Sequence, residues 1–324
     1  MNVEERHIAA LDLGSNSFHL IIAKIIDSDL KIVYREKQQM RMKDIGAVQE
    51  NLITSKKMEE AIKLLLHFKI IANKYSARIL AVATSSIRES ENNIEFIDKV
   101  FAETGIKVNV INGDEEAELA LISFIHYANK LPTRYMLFDL GGGSTEFIFV
   151  ENQKIVKKFS LPIGAVRLTT KYPIINEGDT EAISNLKQMV RNELTEVSKF
   201  FSEFNCEKTY GMGGTVSATC VLLERNVSNR KVEYNKLRDY VIEYNKLNKI
   251  SLTVLNAKSI EEKNKIRGLE KSRADIITAG ILILEVFFSE LNLNSITFAW
   301  SGLREGIILD ELNKEANQTR AEIL

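Results

Sequence analysis

The sequence predicts an α/β protein with two similar domains that face each other across a cleft. With 324 residues, the chain is about twice as long as the commonest domain. It also carries one pattern twice: an apolar strand ends at Asp-Leu-Gly, turns through small polar residues and resumes as a second apolar strand. A duplicated domain explains such a repeat more easily than chance does.

The repeat predicts two β-hairpins with polar tips, the first over residues 7–26 and the second over residues 135–150. Apolar residues at helical spacing predict helical structure over 54–75 and 181–204. Further short strands are predicted at residues 78–83, 107–111 and 295–299. The Lys-, Glu- and Asn-rich stretch 225–271 is interpreted as solvated helices and loops.

The domain boundaries follow from breaks in these patterns. The N-terminal domain is predicted to comprise residues 1–128 together with a returning C-terminal helix at about 306–324, and the second domain residues 129–305. The C-terminal helix is expected to return because its apolar positions Ile307, Ile308 and Leu312 require burial.

Composition excludes several functional classes. Hydrophobic residues make up 45% and the formal net charge is −1, so a globular protein without a broad basic field is expected, with no nucleic-acid partner. Cys206 and Cys220 form no C-x-x-C pair, and the four histidines lack metal-ligand spacing. Neither a signal peptide nor a membrane-spanning run is recognised, which predicts a cytoplasmic location and no membrane partner.

The two hairpin tips are candidate phosphate clamps. Small residues let backbone N–H groups approach an anion, and hydroxyl groups of Ser15, Ser17, Ser144 and Thr145 can add hydrogen bonds. One such turn is usually only a turn, but two matched copies favour a phosphate site. Neither copy has the lysine of a P-loop, and residues 211–214 lack the third glycine of a dinucleotide-binding motif.

Carboxylates near the tips suggest a metal site and a catalytic base. Asp12 and Asp139 end their strands at equivalent places, which suits a hydrated Mg²⁺ shared with substrate phosphates, although each could instead accept hydrogen bonds from turn amides. The acidic run at residues 113–118 opens an apolar helix, where helix capping is the alternative interpretation.

Seven motifs taken in order resemble one family: LDLGSNSF (residues 11–18), ATSSIR (83–88), INGDEEA (111–117), FDLGGGSTE (138–146), PIGAVR (162–167), GMGGT (211–215) and LREG (303–306). The chain closely resembles the exopolyphosphatase and guanosine pentaphosphate phosphatase family, a branch of the actin, Hsp70 and sugar kinase superfamily. The resemblance implies two ribonuclease H-like (actin-like ATPase) domains that bind polyphosphate between them.

The resemblance also implies residue roles. Glu116 would align the attacking water and act as its base, with Asp139 and Glu146 as further catalytic residues that assist through the metal. The metal, Mg²⁺, would be held by Asp12, Asp139 and Glu146. The phosphate-binding residues are predicted to be Ser15, Asn16, Ser17, Arg88, Gly141, Gly142, Gly143, Ser144, Thr145, Gly213, Gly214 and Thr215.

A basic run could also guide a polyanion toward the site, although such a run is usually only a solvated face. It consists of Arg35, Lys37, Arg41 and Lys43, among which Arg41 is preferred as a functional residue, together with Arg88 elsewhere in the chain.

These expectations predict a magnesium-dependent phosphohydrolase that removes terminal phosphates from polyphosphate or from guanosine pentaphosphate, giving guanosine tetraphosphate. An ATP-dependent sugar or acid kinase and a non-catalytic nucleotide-sensing protein remain as alternatives. The choice between the two substrates stays open, as do the oligomeric state, with a homodimer as one option, and the role of Trp300. Longer family members add C-terminal helical domains that this chain lacks, so short or medium polyphosphate is the expected polymer.

Overall fold

The computed structural model describes residues 5–26, 29–42, 51–227 and 237–323, and the chain divides into two compact units. The first unit consists of residues 1–126 and 302–324, and the second of residues 127–301. Each unit contains one β-sheet with helices packed on it, which confirms the predicted α/β class.

The first unit contains a five-stranded sheet in the order β3-β2-β1-β4-β5. Strands β1, β2 and β3 form an antiparallel meander, and β4 and β5 extend the sheet in parallel from β1. The strands are β1 (Arg6–Leu13), β2 (Ser17–Ile26), β3 (Asp29–Gln39), β4 (Arg78–Ala83) and β5 (Val108–Val110).

The second unit repeats this plan with one additional edge strand, β10, in the order β10-β11-β9-β6-β7-β8. Its meander is β6, β7 and β8, and β9 and β11 follow in parallel. The strands are β6 (Arg134–Leu140), β7 (Thr145–Glu151), β8 (Lys154–Leu161), β9 (Lys208–Met212), β10 (Val241–Glu243) and β11 (Ser295–Phe298). The shared order fits a duplicated ribonuclease H-like domain, as the sequence predicted.

Helices connect the parallel strands, because a parallel pairing requires a crossover. The helices of the first unit are α1 (Ser55–Lys74), α2 (Ser85–Arg88), α3 (Asn93–Thr104), α4 (Gly113–Tyr127) and α12 (Leu303–Ile323). In the second unit they are α5 (Ala165–Lys171), α6 (Thr180–Glu193), α7 (Thr195–Phe204), α8 (Gly214–Val227), α9 (Tyr244–Leu255), α10 (Ile260–Lys263) and α11 (Ile277–Glu290). No helix in the described part of the chain combines the length and apolar composition that a bilayer crossing requires.

The first sheet is buried on both faces, and alternate residues of β1 belong to different clusters. Ala9 and Leu11 pack with residues of α1 and α3, whereas Ile8 and Ala10 pack with residues of α4 and α12. Side chains along a strand alternate between faces, so Asp12 continues the row of Ile8 and Ala10. Asp12 therefore lies on the α4 and α12 face of the sheet.

The helical spacing over 181–204 did not predict a break, and the structure has two helices that meet at Leu194. Leu194 is fully buried, and its N–H still bonds to the carbonyl of Val190. The Thr195 hydroxyl donates to the carbonyl of Asn192 at 2.8 Å, a local side-chain bond of the kind that competes with the helical ladder. Neither Gly nor Pro marks the break, so the apolar period runs through it.

The interpretation of residues 225–271 as solvated was wrong for helix α9. Leu247, Ile250 and Val254 lie in the core of the second unit, at the i, i+3 and i+7 positions of one helical face. Abundant polar residues on the other face hide this stripe. Residues 228–236 of the stretch lie outside the described part of the chain.

Candidate active site

The tip of the second hairpin, residues 141–144, is fixed by bonds to its carbonyl oxygens. The donors are the first three residues of α5. They are the N–H of Ala165 to Gly141 (3.1 Å), the N–H groups of Val166 (2.9 Å) and Arg167 (3.0 Å) to Gly142, and Nε of Arg167 to Gly143 (2.6 Å).

This arrangement orients the amides of the tip. In a planar trans peptide the C=O and the following N–H point in opposite directions, so the N–H groups of Gly142, Gly143 and Ser144 point away from α5. Gly164 allows the close contact, because a Cβ there would overlap the carbonyl of Gly142. Several amides on one side of a turn can bind an anion, and this tip therefore meets the requirement for a phosphate clamp.

Two predicted carboxylates lie side by side below this tip. Asp139 on β6 and Glu146 on β7 are direct cross-strand partners, and directly opposed side chains lie on the same face. Glu146 is buried and accepts a hydrogen bond from the Ser160 hydroxyl at 3.0 Å. Thr145, the first residue of β7, is also buried, and its hydroxyl donates a hydrogen bond to the carbonyl of Ile163 at 2.6 Å.

The GMGGT motif borders the same carboxylates. Gly213 has φ of +94°, a conformation that favours glycine, and a Cβ there would lie 2.6 Å from Oδ1 of Asp139. Helix α8 begins at the next residue, Gly214, where a Cβ would overlap the guanidinium of Arg273. The hydroxyl-bearing Thr215 follows in the first turn and is buried.

The tip of the first hairpin, residues 14–16, is held by side-chain contacts. The hydroxyls of Ser15 and Ser85 are 3.0 Å apart in a buried pair. The Asn16 amide donates to the Ser17 hydroxyl at 3.3 Å, and its oxygen accepts a bond from Nε of Arg41 at 3.0 Å.

The basic run has mixed outcomes. Arg41 contacts the tip, as described above, whereas Arg35 forms an ion pair with Glu305 at 2.7 Å. Lys37 lies on β3, and Lys43 lies outside the described residues.

Asp12 occupies the place in the first hairpin that Asp139 occupies in the second. Its cross-strand partner is His19, which corresponds in register to Glu146. Burial raises the pKa of Asp12 from 3.8 to about 6, against the lowering effect of Arg304, and the charge of Glu305 raises it further. The guanidinium of Arg304 also donates to Nδ1 of His19 at 2.9 Å.

Glu115 and Glu116, at the start of α4, make different contacts. Glu115 accepts a bond from the N–H of Asn112 at 2.8 Å, and the Asn112 side chain accepts one from the N–H of Glu115 at 2.9 Å, which forms a capping box. Glu116 is 12% exposed and lies 3.4 Å from Nη1 of Arg88, which also donates to the carbonyl of Ile111 at 2.7 Å. Glu115 therefore caps the helix, and Glu116 is paired with a phosphate-binding candidate.

Comparison with known proteins identifies the fold family. The model of the Ppx/GppA phosphatase family matches residues 21–315. The chain belongs to this family. The crystal structure of an exopolyphosphatase from Cytophaga hutchinsonii superimposes with a TM-score of 0.85 at 25% identity, covering 94% of this chain and 98% of that one. The Aquifex aeolicus Ppx/GppA family member gives a TM-score of 0.78 at 29% identity, with coverages of 96% and 99%.

A longer relative shares the Ppx/GppA region with another activity. A bifunctional 3-dehydroquinate synthase/phosphatase of Fusobacterium nucleatum is 32% identical over 290 residues, which represent 86% of this chain. The chain spans only 42% of the length of that relative.

The carboxylates predicted as metal ligands are oxygen donors, the ligand type that Mg²⁺ prefers. Within the described residues, no three His, Cys, Asp or Glu side chains form a cluster that could hold a metal ion. Mg²⁺ keeps several waters and is commonly held by one or two carboxylates plus substrate phosphates. Asp12 in the first unit and the pair Asp139 and Glu146 in the second supply groups of this kind. Their roles as ligands stay predictions.

Sequence reasoning assigned no role to three charged residues near these groups. Arg273 lies in a short turn before α11 with its guanidinium beside Gly214 at the start of α8, and Arg304 and Glu305 lie in the first turn of α12 on the Asp12 face. The LREG motif was a signal for the last two, but a motif does not reveal the partners of its side chains. Arg273 belongs to no motif in the sequence, and only the proximity of its guanidinium to Gly214 reveals it.

Proposed function

We propose that this Ppx/GppA chain hydrolyses the terminal phosphoanhydride of inorganic polyphosphate or of guanosine pentaphosphate and releases orthophosphate. The observation that carries the proposal is the buried Glu116 beside Arg88. Because Glu115 forms the capping box, helix capping does not account for the carboxylate of Glu116. An acceptor beside a guanidinium suits a reaction in which water loses a proton close to a phosphate group.

The proposed reaction needs a water nucleophile, a base and groups that stabilise negative charge. The water oxygen forms a bond to the terminal phosphorus, the bridging P–O bond breaks, and the water proton passes to Glu116. Arg88 and the amides of Gly142, Gly143 and Ser144 stabilise negative charge on the phosphate oxygens. Asp12, Asp139 and Glu146 would hold Mg²⁺, which when bound neutralises phosphate charge.

Relatives support the reaction class. The Cytophaga hutchinsonii protein is an exopolyphosphatase, and the Fusobacterium nucleatum protein is named as a phosphatase as well as a synthase. Both cysteines of the present chain are free thiols, and Cys220 is buried. Free thiols are typical of a reducing compartment, which supports the proposal of a cytoplasmic location.

A phosphate-release assay tests the function. Purified protein is incubated with polyphosphate of several lengths, with guanosine pentaphosphate and with ATP, each with Mg²⁺ and with excess chelator. We expect Mg²⁺-dependent orthophosphate from polyphosphate, from the guanine nucleotide or from both. ATP-dependent phosphorylation of a sugar or an acid without phosphate release would instead indicate a kinase, and tight nucleotide binding without turnover would indicate a sensor.

A further inference from the structure

Glu305 in the first turn of α12 is a buried carboxylate that the reaction described above does not use. Its side chain is 4% exposed, and Oε1 accepts a bond from Nη1 of Arg35 at 2.7 Å. The other oxygen, Oε2, is fully buried and has no hydrogen-bond partner among the residues that the structure describes.

An unpaired oxygen of this kind needs a donor or a cation. Leaving a buried charged group without a hydrogen-bond partner is energetically unfavourable, so native proteins rarely do it. Two cationic neighbours are otherwise engaged: Arg35 bonds to Oε1, and Arg304 donates to His19. A substrate phosphate offers acceptor oxygens and cannot satisfy Oε2. A water molecule bound to a metal ion is a strong donor and can.

The position of Glu305 matches this requirement. Helices α4 and α12 pack on the same face of the first sheet, the face on which Asp12 lies. Arg304, the residue before Glu305, contacts His19, the cross-strand partner of Asp12. The first turn of α12 therefore lies near the carboxyl end of β1, where Asp12 is located.

We propose that Glu305 is a positioning residue for the divalent cation, with Oε2 accepting a hydrogen bond from a water of the hydration shell and Asp12 as the nearby carboxylate ligand. The inference rests on the proposed Mg²⁺ dependence. Arg35 fixes the carboxylate by bonding to Oε1, which leaves Oε2 for the water. Outer-shell partners of this kind typically change metal affinity about 10- to 100-fold when they are removed.

The test measures binding of Mn²⁺, as a paramagnetic substitute for Mg²⁺, to the full chain without substrate by electron paramagnetic resonance. Glu305→Gln keeps the shape and an acceptor for Arg35 but removes the charge. Glu311→Gln is the matched control, because Glu311 lies on the same helix and pairs with Arg78 at 2.8 Å. We expect Glu305→Gln to weaken Mn²⁺ binding about 10- to 100-fold and Glu311→Gln to stay within about two-fold of wild type.

Three results would overturn the proposal: wild-type affinity in Glu305→Gln, an equal loss in Glu311→Gln, or no Mn²⁺ binding by the wild type. If the wild type releases no phosphate but Glu305→Gln still weakens Mn²⁺ binding selectively, the proposed function fails and the inference stands. If Glu305→Gln does not fold, anomalous scattering from wild-type crystals soaked in Mn²⁺ locates the ion and tests the proposal without the variant. A peak one water molecule away from Glu305 supports the proposal, and a peak elsewhere alone contradicts it.

Discussion

Glu115 and Glu116 are neighbours in sequence but differ in burial and in partners. Glu115 is exposed and completes the capping box with Asn112, whereas Glu116 is buried beside Arg88. Successive residues of a helix point about 100° apart, so only one of the two can face Arg88. The pair therefore offers a matched experiment in which the same substitution tests a catalytic and a structural role.

Glu116→Gln should lower turnover about 10²- to 10⁴-fold, because the amide keeps the shape but cannot accept the water proton. Glu115→Gln should leave turnover near that of the wild type and lower stability by about 1 kcal/mol or less, because the cap weakens. Phosphate release at saturating substrate and Mg²⁺, together with thermal unfolding, measures both effects. Turnover of Glu116→Gln within a few-fold of the wild type would end the assignment.

The hydrogen bonds of Glu36, on β3 of the first unit, predict an effect of pH on stability. Burial would raise the pKa of Glu36, but hydrogen bonds from Gln38 at 3.0 Å, Tyr34 at 2.7 Å and His67 at 3.1 Å outweigh it and hold the pKa below 4.5. A carboxylate with a lowered folded-state pKa stabilises the protein fully above its unfolded pKa, and the stabilisation is lost as the pH falls through the folded-state value.

Glu36→Gln should therefore lower the free energy of unfolding by about 1–2 kcal/mol at neutral pH, with the difference shrinking in acid below the unfolded pKa of about 4.5. Denaturant unfolding of wild type and variant across this range measures it. A difference that does not change with pH would show that the charge of Glu36 contributes nothing.

At the scale of elements, the second hairpin and the start of α5 act as one structure. The tip contains three consecutive glycines, so its conformation depends on the carbonyl bonds that α5 donates. Gly164 makes the approach possible because nothing larger fits beside the Gly142 carbonyl.

Gly164→Ala should displace the tip and lower phosphate release by about 10²-fold, since misplacement of about 1 Å is enough for such a loss. Overpacking should also cost about 1–3 kcal/mol of stability. Gly178→Ala is the control, because its Cβ would meet only the side chain of Asn176 in an exposed turn. Equal activity of the two variants would show that the tip does not bind the reacting phosphate.

At the scale of the whole molecule, the proposed function predicts a dependence on Mg²⁺. Exhaustive chelation should lower phosphate release by about 10²-fold or more, because the metal supplies several kcal/mol of charge stabilisation, and added Mg²⁺ should restore it. The assay is orthophosphate release before and after readdition of the ion. Full activity in excess chelator would exclude the proposed role of Asp12, Asp139 and Glu146.

Most of the fold could be predicted from local patterns. The repeated Asp-Leu-Gly hairpin and the short β-branched runs predicted the duplicated α/β plan, and β4 has the predicted bounds, residues 78–83. The break at Leu194 was missed because the apolar period continues across it, and the core stripe of α9 was missed because polar residues surround it. Periodicity records which residues become buried more reliably than where a helix ends.

By itself, the sequence determined the two hairpin tips, the strands that carry Asp12 and Asp139, and the helix start that carries Glu116, because turn chemistry and apolar spacing act over a few residues. Only the tertiary structure decided that Glu116 is buried beside Arg88, 28 positions away, and that Glu305 pairs with Arg35, 270 positions away. Burial and the choice of a charged partner depend on how distant segments pack. A local sequence pattern therefore predicts turns and apolar spacing, but it does not predict which distant segments pack together.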